Sequence, residues 1–205
     1  MSKRIFGLFI LAGLFLAVAA KAESVVPVPA WEFTSPTNQL THGNYTIGVV
    51  FTVDQDVSVG YLGYFDPTGG MTTSHLVGIY DVSTETLLAS TTVTSSSPYA
   101  SANFLYNAIT PIELNTTDTY VIEGVSGSDL YTNQVSGFTL NPVITIDGYN
   151  FQSGSGGLNL DGTVQTGIDY FGPDFGDATP EPSTLLLLGS GLAGLAGLIK
   201  RKRMA

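Results

Sequence analysis

The chain has 205 residues, 24 of them glycine and none cysteine, with a formal net charge of -10 and an apolar content of 43%. All seven Lys and Arg residues stand at its ends, Lys3, Arg4 and Lys21 in front and Lys200, Arg201, Lys202 and Arg203 behind, whereas all 17 acidic residues fall from Glu23 to Glu181. A middle segment with no permanent cation cannot neutralise phosphates, which excludes nucleic acid as a partner and disfavours anionic lipid headgroups; lacking cysteine, it must be held by burial rather than by disulfides.

The front end reads as a secretory signal. Lys3 and Arg4 form a short positive region, Ile5 to Ala20 is an unbroken run of apolar residues and glycine, and Ala20 and Ala22 supply the small residues at alternate positions that signal peptidase requires. Residues 1–22 are therefore expected to be removed, leaving Glu23 as the new N-terminus.

Residues 23–179 follow as one domain, large enough for a sizeable core. Their periodicity is that of strands. Tyr45, Ile47, Val49, Phe51 and Val53 alternate with Thr46, Gly48 and Thr52, and Val57, Val59, Tyr61 and Phe65 continue the pattern past Asp54-Gln55-Asp56. Further strands are predicted at His75–Asp81, Leu87–Val93, Ala102–Tyr106, Ile109–Leu114, Tyr120–Val125, Phe138–Leu140 and Val143–Ile146. Turn chemistry separates them at Asp66-Pro67-Thr68-Gly69-Gly70, Val82-Ser83-Thr84-Glu85, Ser95-Ser96-Ser97-Pro98, Asn115-Thr116-Thr117-Asp118 and Asp147-Gly148. Many short strands with no helical spacing between them predict an all-β, antiparallel fold, a two-sheet β-sandwich or jelly roll.

The tail, residues 180–205, has three parts in order: Pro180-Glu181-Pro182, an uncharged run from Ser183 to Ile199, and Lys200-Arg201-Lys202-Arg203. The uncharged run puts leucine on every face of a helix, which leaves no polar face for water. As a helix it reaches roughly 25 Å, close to a hydrocarbon core of about 30 Å. It is expected to be a transmembrane helix stopped by the basic cluster. Both basic ends then obey the positive-inside rule, with everything between them outside the cytoplasm.

This tail resembles the PEP-CTERM sorting signal of exported proteins of Gram-negative bacteria, which is read in the inner membrane by an exosortase. By that resemblance Pro180, Glu181 and Pro182 would be the recognition element, the helix would be removed or replaced, and the protein would reach the cell surface or an extracellular polysaccharide matrix. Two prolines also keep the backbone extended and accessible to a protease. A second resemblance covers Phe51 to Val125. Its phrases Tyr61-Leu62-Gly63-Tyr64-Phe65-Asp66, Val77-Gly78-Ile79-Tyr80-Asp81 and Thr119-Tyr120-Val121-Ile122 are similar to a β-sandwich module of unknown function found with this tail. Where relatives often place glycine after Asp81, this chain has Thr84-Glu85. No catalytic residue is implied by either resemblance.

Residues suited to chemistry are few. No serine lies in a nucleophile elbow, and Gly154-Ser155-Gly156-Gly157 reads as a loop. His42 and His75 read as satisfied surface or strand histidines, since two alone do not make a zinc site. A glycosidase pair would be drawn from Glu32, Glu113 and Glu123, each of which reads first as a solvated strand residue. Calcium is the one metal with candidate ligands: Asp54 and Asp56 in a strand break, and Asn159 and Asp161 in Asn159-Leu160-Asp161-Gly162, with Asp169, Asp174 and Asp177 downstream. Neither group completes a calcium-loop spacing, and each reads first as an Asx-turn. Tyr61, Tyr64, Phe65 and Tyr80 could form a sugar-stacking strip or pack in the core.

The sequence thus predicts a non-enzymatic exported surface or matrix protein with no required cofactor, structural or adhesive in the envelope, exopolysaccharide or biofilm. A carbohydrate-binding module is the alternative and a glycosidase the third reading. Signal peptidase and exosortase are the expected processing partners, with the inner membrane before processing and extracellular polysaccharide after it.

Overall fold

The computed structural model describes residues 27–177 apart from 37, 41–42, 68, 134, 155–156, 161–162 and 166–169. The leader with Ala20 and Ala22, and the tail with Pro180, Glu181, Pro182, the expected transmembrane helix and Lys200, Arg201, Lys202 and Arg203, lie outside the described residues.

The described residues contain 17 strands and no helix. Four short strands lead: β1 (Val28–Pro29), β2 (Trp31–Glu32), β3 (Ser35–Pro36) and β4 (Gln39–Leu40). The long strands β5 (Tyr45–Val53), β6 (Val57–Phe65), β7 (His75–Asp81) and β8 (Thr86–Val93) come next, followed by β9 (Tyr99–Ser101), β10 (Phe104–Leu114) and β11 (Tyr120–Val125). Then come β12 (Tyr131–Thr132), β13 (Val135–Ser136), β14 (Thr139–Leu140), β15 (Ile144–Ser153), β16 (Thr163–Gln165) and β17 (Pro173–Asp177).

Two antiparallel sheets take up 11 of these strands, one of five in the order β1-β17-β6-β10-β9 and one of six in the order β16-β15-β5-β11-β7-β8. The other six pair as β2–β14, β3–β13 and β4–β12, and a single register runs through all three ladders, from Trp31 opposite Leu140 to Leu40 opposite Tyr131. This interrupted ribbon is absent from the sequence reading because its strands are two residues long, too short to show alternation.

The two large sheets share one apolar core. Phe51 of β5 stacks on Phe175 of β17 with centroids 4.9 Å apart, and Trp31 meets Phe175 edge-on at 5.7 Å. Phe33, Phe65 and Phe104 form a second group of rings with centroids 5.5–5.8 Å apart. Each such side chain contributes about 1.5–3 kcal/mol on burial, which is how a domain without disulfides reaches stability.

Two boundaries differ from expectation. Ala102–Tyr106 and Ile109–Leu114 are not two strands: β10 is continuous, and its register against β6 shifts between Ala108 and Ile112, where Pro111 has no N–H to offer a ladder. Asp147-Gly148 is not a break either, because β15 runs through it with a bulge between Ile146 and Gly148.

Candidate functional site

The loop between β6 and β7 folds against the turn after β11, and two aspartates organise the junction. Asp66 Oδ1 accepts the N–H groups of Gly70 (2.8 Å) and Met71 (3.2 Å). Asp129 accepts the backbone N–H of Thr72 (2.9 Å) and of Thr73 (2.7 Å) together with both threonine hydroxyls. Burial works against its charge, but the four bonds from Thr72 and Thr73 outweigh it and hold the carboxyl at about 2.

His75, fully buried at the start of β7, completes this group. Its Nε2 lies 3.0 Å from Asp129 Oδ2 and its Nδ1 2.8 Å from the carbonyl oxygen of Val125. Both ring nitrogens face oxygen atoms. The imidazole stacks flat on Tyr64, with centroids 3.8 Å apart and 2° between the planes. Burial first, and the Asp129 charge second, push the Tyr64 phenol well up, and its hydroxyl has no hydrogen-bond partner.

Beside this group Asp66, Met71, Thr72, Ser128 and Asp129 line a cleft of about 180 Å³. That is smaller than the roughly 300–1,000 Å³ of typical ligand pockets. Both its carboxylates are already engaged by loop N–H groups, and Asp129 is ionised throughout the physiological range, so it offers no proton to a leaving group.

Two further polar groups are buried by one arrangement, in which side chains from the outer two of three strands meet over a central glycine. In the five-stranded sheet, Tyr106 of β10 and Asp174 of β17 both pair with Gly63 of β6, and the Tyr106 hydroxyl donates to Asp174 Oδ2 at 2.5 Å. A Cβ on Gly63 would lie 2.4 Å from the Tyr106 ring. Burial pushes the Asp174 carboxyl well up against the bonds it accepts from Tyr106 and nearby backbone N–H groups.

In the six-stranded sheet, Glu123 of β11 and Asn150 of β15 both pair with Gly48 of β5. Asn150 Nδ2 donates to Glu123 Oε1, and the backbone N–H of Asn159 donates to Oε2 at 2.8 Å. Residues 157–159 close over this face: Leu158 packs on Gly78, and the carbonyl of Gly157 accepts from the Thr46 hydroxyl at 2.7 Å. Glu123 is fully buried, which pushes its carboxyl up to about 7 against the bonds from Asn159 and Asn150.

The expected site residues are distributed differently. Asp54 and Asp56 are exposed in the turn joining β5 to β6, where the Asp54 N–H donates to the carbonyl of Val143 at 2.8 Å. Asn159 stands over the outer face of the six-stranded sheet, and Asp161 and Asp169 lie outside the described residues, as does His42. Asp174 is a core residue and not part of a loop with Asn159. Among the described residues no three of His, Asp and Glu gather as a metal cluster would require. Glu32 and Glu113 are exposed on strands, but Glu123 is not solvated as its alternating position suggests. Tyr61, Tyr64 and Phe65 are buried, and only Tyr80 of that group is partly exposed.

Residues 178–202 match the model of the PEP-CTERM protein-sorting motif. No curated protein matches the sequence. The motif spans the Pro-Glu-Pro triplet, the uncharged run and the basic residues up to Lys202 that the sequence reading had set apart. The chain is therefore an exported protein that bears a PEP-CTERM sorting motif and is directed to the cell envelope as a substrate of an exosortase.

Proposed function

We propose that the exported domain is a non-enzymatic structural or adhesive component of the cell envelope and its polysaccharide matrix. The observation that carries this reading is the engagement of its chemically able side chains in the fold itself. His75 and Asp129 bond each other and the loops beside them, Asp174 bonds Tyr106 inside the core, and Glu123 lies under residues 157–159. The edge strand β8 supports the same reading: its solvent-facing positions are Thr86, Leu87, Ser90 and Thr92, without a charge.

One observation favours a carbohydrate-binding reading as the second. Tyr45, Phe151 and Tyr170 are partly exposed and adjacent, with Tyr45 and Phe151 5.0 Å apart and Phe151 stacked on Tyr170 at 5.1 Å. Rings presented in this way can lie against pyranose faces.

Screening the exported protein on an array of the cell's own polysaccharides separates the readings. The structural reading expects no retained glycan, together with loss of cell cohesion when the chain is deleted. Retention that falls at least tenfold in Tyr170→Ala would replace it with the carbohydrate-binding reading, and release of cleaved sugar would overturn both. Conversion of Pro180, Glu181 and Pro182 to alanine should leave the protein in the inner-membrane fraction.

A further inference from the structure

We propose that the free edge of the six-stranded sheet, β8, pairs antiparallel with β8 of a second copy of this chain and joins the two six-stranded sheets into one across a two-fold axis at Thr91. The inference goes beyond the matrix role and does not depend on it, since a sugar-binding domain could assemble in the same way.

An edge strand offers unpaired N–H and C=O groups, and proteins blunt it by shortness, proline, charge or a bulge. Among the described residues the other three edges of the two large sheets are short: β1 has two residues, one of them Pro29, and β9 and β16 have three each. The β8 edge is eight residues long, without a proline or a charge. Its one blunting device is a bulge, since the register against β7 shifts between Ile79 and Tyr80 and leaves Leu88 unpaired, so the straight ladder is Ala89–Val93. Within it the Thr92 carbonyl points away from β7, where it accepts the Asn107 side-chain N–H at 2.6 Å and keeps a second lone pair. The strand period of two gives Ser90 the same outward direction.

Charge decides which chain this edge meets. From Thr86 to Ile112, which takes in β8, β9 and most of β10, there is no Asp, Glu, Lys, Arg or His. One flank of the molecule thus presents the edges of both sheets uncharged, with an open groove between residues 88–91 and 108–112. A domain without Lys or Arg repels its own copies wherever carboxylates face each other, and on this flank they do not. Glu85 precedes β8, so antiparallel pairing sets the Glu85 side chains of the two copies at opposite ends, roughly 35–40 Å apart, well beyond a Debye length of about 8 Å. A basic partner would be drawn to the carboxylates elsewhere.

Centred on Thr91, the two straight stretches overlap fully: Ala89 faces Val93, Ser90 faces Thr92 with their outward groups bonded, and Thr91 faces Thr91. Thr–Thr and Thr–Ser pairs stabilise antiparallel neighbours, and an isologous contact closes at two copies. The pairing also covers Leu87. With Leu76 and Val82, it makes three of the five large apolar side chains exposed among the described residues, all on the β7–β8 hairpin.

The chain has no cysteine, so a single introduced one reports the joint. Thr91 facing its own copy in a non-hydrogen-bonded pair brings the Cα atoms to about 4.5 Å, within disulfide range. So small a contact belongs to the transient class, so the full-length chain is oxidised in detergent micelles at about 100 µM. Thr91→Cys should then link into dimers at least tenfold faster than Val28→Cys, a more exposed position on the edge strand β1. Ser90→Pro, added to Thr91→Cys, removes an outward N–H and should slow this linkage at least tenfold. Ser90→Asp sets carboxylates across the joint, should slow it likewise at low salt, and provides the readout if Ser90→Pro fails to fold. Linkage no faster than that of Val28→Cys, linkage unaffected by Ser90→Asp, or linkage of Thr91→Cys on the exporting cell to a different protein in place of its own copy would each overturn the proposal.

Discussion

Replacing Asp129 with Asn tests whether a charge, rather than shape, joins the β6–β7 loop to the turn after β11. Asn can keep its oxygen where Oδ2 stands, and so retain bonds from Thr72 N, Thr73 N, Thr73 Oγ1 and His75 Nε2. Those bonds become neutral. Hydrogen bonds to charged groups contribute about 1.5–3 kcal/mol and neutral ones about 0.5–1.5, and the depression of the carboxyl to about 2 limits what the charge itself supplies, so the loss should total about 1–2 kcal/mol at pH 7. For a domain of this size each kcal/mol moves the melting temperature by about 2–4 °C, which predicts a fall of roughly 3–6 °C.

The pH dependence has a definite sign. Asp129 is held at about 2, below its ordinary range, so its contribution is present above pH 4 and is lost as pH falls from about 4 through 2. The shift corresponds to at most about 2 kcal/mol, reduced to about 1 by water at the mouth of the cleft. The gap between parent and Asp129→Asn in circular-dichroism melts should therefore narrow across that interval. A gap that stays constant from pH 7 to pH 2, or a melting temperature within 2 °C of the parent at pH 7, would refute charge as the cause.

Three other perturbations follow from the same geometry. Glu123→Gln, measured in chelator, should stabilise the protein at pH 8. The parent loses up to about 3 kcal/mol as pH rises from about 4.5 to 7, because burial holds Glu123 protonated to about 7, and a denaturant series should show that slope vanish in the variant. Glu85 sits at a φ of 54° in the turn from β7 to β8, where side chains are disfavoured, so Glu85→Gly should raise the denaturation midpoint by about 1 kcal/mol equivalent and Glu85→Ala should not. Tyr106→Phe removes the hydroxyl that donates to buried Asp174, leaves that acceptor one bond short and should cost about 1–3 kcal/mol; a change below 0.5 kcal/mol would show that backbone N–H groups alone satisfy that carboxyl group.

The strands β5 and β6 were legible because each buries a continuous face over nine residues. Tyr45–Val53 and Val57–Phe65 carry apolar residues at every second position, and their bounds in the structure match those read from the sequence. Short strands carry no period: Trp31–Glu32 and Thr139–Leu140 pair across 100 residues in a register that no local pattern encodes. Bulges defeat the reading in the opposite sense. Asp147-Gly148 has the composition of a turn, yet β5 on one side holds it in the ladder. The Pro-Glu-Pro triplet was legible for a different reason, since a membrane address is written in linear order and needs no partner strand.

Buried acids were the least legible feature, and the reason lies in the sheet's second dimension. Alternation assigns Glu123 to the outer face of β11, which is correct, and from there to solvent, which is not. What buries it are residues far along the chain: Gly48 leaves the space, Asn150 fills it from the other side, and the segment carrying Leu158 and Asn159 closes it. Asp174 repeats the pattern with Gly63 and Tyr106. The local trace of both is an acid flanked by apolar residues and glycine, Val121-Ile122-Glu123-Gly124-Val125 and Pro173-Asp174-Phe175-Gly176. A solvated acid needs no such neighbours. In a domain with no Lys or Arg to pair with its acids, an apolar-flanked carboxylate on a central strand is therefore better read as hydrogen-bonded across a glycine than as surface charge.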